Sequence, residues 1–98
     1  MHETIKRTEQ EIDEQVQKGK QFVNEHPRSM FGDDNITPFR AFKSLCEMAK
    51  QGYSADSLRR WIEKEYEDEE DQDERMHLEN QADDVVNWLS GESKDEPY

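Results

Sequence analysis

Carboxylates are concentrated in one part of this sequence, and their spacing determines the chemistry available to it. Residues 63–84, the acidic segment, carry 12 acidic and two basic side chains, a local net charge of −10 out of −12 for the chain. Seven of the eight residues from Glu67 to Glu74 are acidic. In a helix these seven charges would occupy about 12 Å, close to the charge density of duplex DNA. Such a segment favours basic partners and disfavours direct binding to nucleic acid or an anionic membrane.

The carboxylates of the acidic segment are the candidate partner-binding residues. They are Glu63, Glu65, Glu67, Asp68, Glu69, Glu70, Asp71, Asp73, Glu74, Glu79, Asp83 and Asp84. The same composition is also typical of a solvated acidic linker, or of a segment that pairs with the basic middle of its own chain. From Arg40 to Arg60, five bases outnumber two acids, which is a net charge of +3.

The other reactive side chains lack the partner residues that catalysis or metal binding requires. Cys46 lies on the apolar side of a predicted helix with no histidine near it in sequence, which indicates a packed thiol. Glu74 and His77 have the spacing of half a di-iron site, but such a bundle needs a second motif and two more inward carboxylates. We therefore predict no enzyme activity, no metal site and no cofactor.

Residues 44–62 resemble a helix-turn-helix, with a turn at Gly52 between two predicted helices. The pattern departs from that family at Glu47 and Gln51, where apolar residues are expected, and at Met48, where a small alanine is expected. The resemblance implies an alternative nucleic-acid-binding surface. Its residues would be Lys43, Arg59 and Arg60.

Composition limits the core that can position these groups. Leu, Ile, Val and Phe make up 16 of 98 residues, below the roughly 20% under which a highly charged chain is expected to be disordered in whole or part. Apolar residues at helical spacing nevertheless predict a small all-α fold of three to four helices. The predicted helices cover about 4–25, 38–51, 55–68 and 75–90.

A central helical hairpin is the best-marked part of this fold. Thr37-Pro38 predicts a helix start with a capping hydroxyl and a proline at the first helical position. Gly52 predicts the end of that helix, and Ser54 the start of the next. A continuous helix from 55 to 90 would place its two apolar stripes on opposite faces. The sequence therefore predicts a break between Tyr66 and Met76.

We expect one small domain over residues 1–98, with the core in 36–90. The N-terminal helix, 4–26, is predicted to be peripheral or dimerising, and the polar residues 91–98 to be a flexible tail. No signal-peptide or membrane-spanning pattern is recognised, and Cys46 is the single cysteine. These features predict a cytoplasmic protein.

Small size, acidity and the lack of catalytic residues resemble phage-encoded anti-defence inhibitors, including anti-CRISPR proteins and other DNA mimics. The resemblance implies a non-enzymatic inhibitor that occupies the basic nucleic-acid-binding surface of a partner protein. One alternative is a DNA-binding regulator with an acidic regulatory arm. Another is a dimeric helical scaffold or antitoxin-like protein, assembled as a homodimer through the N-terminal helix.

Overall fold

The computed structural model describes residues 5–28 and 34–98. Within these residues the chain forms four α-helices. They are α1 (Glu9–Glu25), α2 (Ile36–Lys50), α3 (Ala55–Glu65) and α4 (Gln72–Ser90). The predicted all-α class with a central hairpin, here α2 and α3, is confirmed. No helix among the described residues is long and apolar enough to cross a membrane. The predicted helix start at Thr4 and the turn residues Gly32 and Asp33 lie outside this part of the chain.

Helix α1 begins later than the apolar spacing predicts. The Thr8 hydroxyl accepts a hydrogen bond from the Glu11 backbone N–H at 3.2 Å, and residues 5–8 are not helical. This capping contact explains why the helix starts at Glu9. The predicted end is correct, because His26 is the C-terminal cap and Pro27 follows.

Helix α2 begins at Ile36, after Asn35, so the prediction that Thr37 caps it is wrong. Pro38 is the third helical residue instead of the first. Its missing N–H is still tolerated there, because the first four N–H groups of a helix have no partner within it. The predicted hairpin turn is correct: Gly52 has a φ of 98°, and the Ser54 hydroxyl accepts from the Ser57 N–H.

The predicted break between the last two helices is present. Helix α3 ends at Glu65, three residues before the predicted boundary, and α4 begins at Gln72, three residues early. The side chain of Asp71 accepts hydrogen bonds from the backbone N–H groups of Asp73 and Glu74, at 3.0 and 3.4 Å. This cap and the favourable position of acids at a helix N-terminus explain the early start of α4.

The core is shared by all four helices. Its fully buried large side chains are Phe42, Ile12, Leu45, Leu58, Leu89, Val86 and Cys46. Ile12 is only 1% exposed and Val16 packs against the same cluster, so the apolar stripe of α1 is used inside this chain. The helix that was predicted to be peripheral or dimerising therefore packs its apolar residues against this chain's own core.

Residues 91–98, predicted as a flexible tail, lie against α1 and α2. Tyr98 contacts the rings of Phe22 and Phe42, with centroids 5.6 and 5.1 Å apart. Its backbone N–H donates to Oε1 of the buried Gln15 at 3.4 Å. Gly19 makes this approach possible, because a Cβ there would lie 2.9 Å from the rings of both Tyr98 and Phe39.

Candidate protein-binding surface

The acidic segment spans the end of α3, the linker 66–71 and most of α4. Eleven of its twelve carboxylate side chains are exposed, and Glu79 is half-buried. The Glu67 and Glu69 N–H groups donate to the carbonyls of Lys64 and Tyr66, at 3.4 and 3.2 Å. These turns, with the Asp71 cap of α4, hold the linker between two packed helices. Its acids are therefore presented from a connection that is anchored at both ends.

The acidic residues from Glu67 to Glu74 are not spaced as they would be in one continuous helix. Within Glu67–Glu74, only the last three residues belong to α4, and the first five form the linker. The DNA-like spacing calculated for a helix consequently does not apply. The charge is concentrated instead in a turn that leads into a helix N-terminus, where the helix dipole partly compensates it.

Two carboxylates of α4 are engaged inside the chain. Arg75 Nε donates to Glu79 Oε1 at 3.2 Å, one turn along the same helix. Arg59 Nε donates to Asp83 Oδ1, also at 3.2 Å. The second pair joins the basic middle of the chain to the acidic segment, so part of this segment's charge is used in pairing within the chain. The twelve candidate residues therefore do not form one uniform anionic face.

The basic candidate residues have different surroundings. Lys43 on α2 and Arg60 on α3 are exposed, and Arg60 pairs with Asp56 at 3.2 Å. Arg59 is half-buried and turned toward α4, where Nη2 donates to Asn87 Oδ1 at 2.8 Å. Arg59 therefore faces α4, whereas Arg60 on the same helix faces solvent.

Cys46 is fully buried in the core. Burial is the main reason that the pKa of its thiol rises to about 12, although Lys50 nearby acts in the opposite direction. A thiol that remains protonated at neutral pH is a poor nucleophile and metal ligand. Over residues 5–28 and 34–98, no group of three or more His, Cys, Asp or Glu side chains is placed to hold a metal ion.

Two residues that join the ends of the chain, Arg7 and Tyr98, were not predicted from the sequence. Arg7, in a stretch predicted to be helical, donates from Nε to the Trp88 carbonyl at 2.8 Å and from Nη2 to the Ser93 carbonyl at 2.9 Å. Tyr98 is the other missed residue. An aromatic side chain at the end of an otherwise polar tail could have indicated that Tyr98 packs against the domain. No feature of the sequence around Arg7 indicated its contacts.

The position of Tyr98 makes an alkaline titration informative. Burial raises the pKa of Tyr98 from 10.0 to about 12. Since the folded protein favours the neutral phenol, its contribution to stability is complete below about pH 10 and is lost as the pH rises toward about 12. We expect the tyrosinate absorbance of wild type minus that of Tyr98→Phe to have a midpoint clearly above 10. A midpoint at 10 would show that the ring is solvated.

No family model matches the chain, and neither a curated protein nor a solved structure matches it.

Proposed function

We propose that this chain is a non-enzymatic binding protein that occupies a basic, nucleic-acid-binding surface of a partner protein. The linker acids carry the proposal: Glu67, Asp68, Glu69 and Glu70 are consecutive and exposed, and both ends of the linker are anchored. Anchoring reduces the conformational entropy lost when these side chains meet a cationic surface. Complementary charge also accelerates encounter and excludes partners of like charge.

The α3–α4 arrangement supports this function over direct DNA binding. Arg59 is one of the three bases in the DNA-binding alternative, but this side chain is held by Asp83 and Asn87 of α4. The linker acids follow directly after α3 and would repel phosphates approaching that end of the hairpin. The specific form of protein binding that we propose is an inhibitor of the anti-CRISPR kind, in which the linker carboxylates take the place of phosphates without reproducing the charge spacing of duplex DNA.

The test neutralises the linker without removing a helix cap. A variant with Glu67, Glu69 and Glu70 changed to Gln and Asp68→Asn leaves Asp71 in place and changes the net charge from −12 to −8. A partner captured from native cells with the wild type is purified, and its Kd is measured by calorimetry. At roughly 0.3–1 kcal/mol per lost charge pair, four losses predict binding about 10- to 1,000-fold weaker. Binding by wild type should also weaken as salt rises.

The matched control carries the same change in net charge elsewhere. Glu9, Glu14, Glu25 and Glu47 are exposed on α1 and α2, and their change to Gln should leave the Kd within about twofold of wild type. The wild type should also displace a nucleic-acid duplex from the captured partner, whereas the linker variant should not. Equal affinity of the linker variant and wild type, or a duplex that stays bound, would contradict the proposal.

A further inference from the structure

A cleft of about 640 Å³ lies beside α2 and α4 and is bordered by the tail. Its floor is apolar and includes Ala41, Ala82 and Val85, while Tyr98 forms part of a wall. The volume falls within the range of small-molecule sites, which are mostly apolar with a few polar groups that orient the ligand. The side chains at the floor are well packed, so the cleft is a formed feature of the domain.

The charged groups that line the cleft are all of one sign. Carboxylates of Asp84, Asp95 and Glu96 border it, and none of the described residues that line it is a lysine or arginine. Lys18 pairs with Glu96 at 3.0 Å and lowers the pKa of that carboxylate. Asp84 and Asp95 are exposed and belong to different elements, α4 and the tail. An apolar floor beneath an anionic border is complementary to an organic cation.

Gln81 supplies a second, independent indication of a ligand. Its side chain lines the cleft, and its Oε1 atom is buried with no hydrogen-bond partner among the described residues. The amide nitrogen of the same side chain is 3.1 Å from His77 Nε2. Buried acceptors without a partner are uncommon, because they lose water without replacing it. This oxygen is inaccessible from the cleft in this structure, so a ligand N–H would pair with it after the Gln81 amide turns outward.

We propose that the cleft binds an organic cation in which an aromatic body carries an ammonium group. The body rests on Ala82 and Val85, and the ammonium lies between Asp84 and Asp95, where it pairs with both carboxylates and donates toward Gln81. This site is distinct from the linker, and it assigns Asp84 to ligand binding instead of to the surface that binds the partner protein.

The probe is tryptamine, titrated into the ¹⁵N-labelled full chain at neutral pH. We expect saturable shifts of the backbone resonances of Ala82, Val85 and Asp95, with a Kd of about 1 mM or tighter. Indole-3-propionate, which has the same ring with a carboxylate, should cause no saturable shift at these positions. No saturable response to tryptamine, or an equal response to both compounds, would overturn the proposal.

Variants separate this site from the proposed function. Asp84→Asn with Asp95→Asn should weaken tryptamine binding about tenfold, and Ala82→Leu should also weaken it by filling the floor. The matched control, Asp68→Asn with Glu69→Gln in the linker, should bind tryptamine as wild type does. If the double variant of the cleft binds as tightly as wild type, the ammonium position is wrong. Because the linker variants retain the cleft, failure of either proposal leaves the other testable.

Discussion

Phe42→Ala is expected to lower the free energy of unfolding by about 3–5 kcal/mol, the range for removing a buried phenylalanine. Phe42 is 1% exposed in the shared core, and its ring contacts both Phe39 and Tyr98, with centroids 6.3 and 5.1 Å away. The substitution therefore removes packing from α2 and from the tail together. A domain of this size has roughly 5–15 kcal/mol of stability, so the variant would be close to unfolding.

Urea denaturation followed by circular dichroism measures this effect. The matched control is Phe22→Ala, because Phe22 also contacts Tyr98 but is 42% exposed. We expect the control to lose less than half as much free energy of unfolding, since much of its ring is already in water. Equal losses in the two variants would mean that Tyr98 contacts, and not core burial, determine the effect of Phe42.

Arg7→Ala is expected to lower the free energy of unfolding by about 2–3 kcal/mol. The guanidinium donates to two carbonyls at the end of α4 and the start of the tail, and it lies 5.0 Å from the centre of the Trp88 ring. Charged hydrogen bonds contribute roughly 1.5–3 kcal/mol each, with less expected here because the side chain remains 22% exposed. The Trp88 carbonyl keeps its hydrogen bond from the Gly91 N–H at 3.1 Å, so the expected loss comes from the two charged bonds and the ring contact.

Urea denaturation of three variants tests the role of Arg7. Arg7→Lys keeps the charge but lacks the planar set of donors that reaches both carbonyls, and should recover less than half of the loss. Lys20→Ala, at an exposed position of α1, should stay within about 0.5 kcal/mol of wild type. Full recovery by lysine would show that charge alone, without the paired hydrogen bonds, explains the contribution of Arg7.

The sequence predicted which acidic residues are exposed on the candidate surface, but it did not predict which of them form ion pairs with bases of the same chain. Seven charges in eight residues cannot be buried together, so the exposure of the linker acids follows from residue type. The engagement of Asp83 by Arg59 does not, because the two residues are 24 positions apart and meet only after α4 packs on α3. For the same reason, Asp84 was indistinguishable in sequence from the linker acids, although it borders the cleft.

The sequence by itself determined the all-α class, the apolar faces of the helices and the turns that end α2 and α4. Gly52 and Gly91, with φ of 98° and 83°, end α2 and α4, and Asp71 caps α4. These are local effects, since they act within one turn of helix. Tertiary structure alone decided the shape of the cleft. It also decided the hydrogen bond from Arg7 to the carbonyl of Ser93, which is 86 positions away. Contacts at that separation depend on how the helices pack, and periodicity along the chain does not encode that packing.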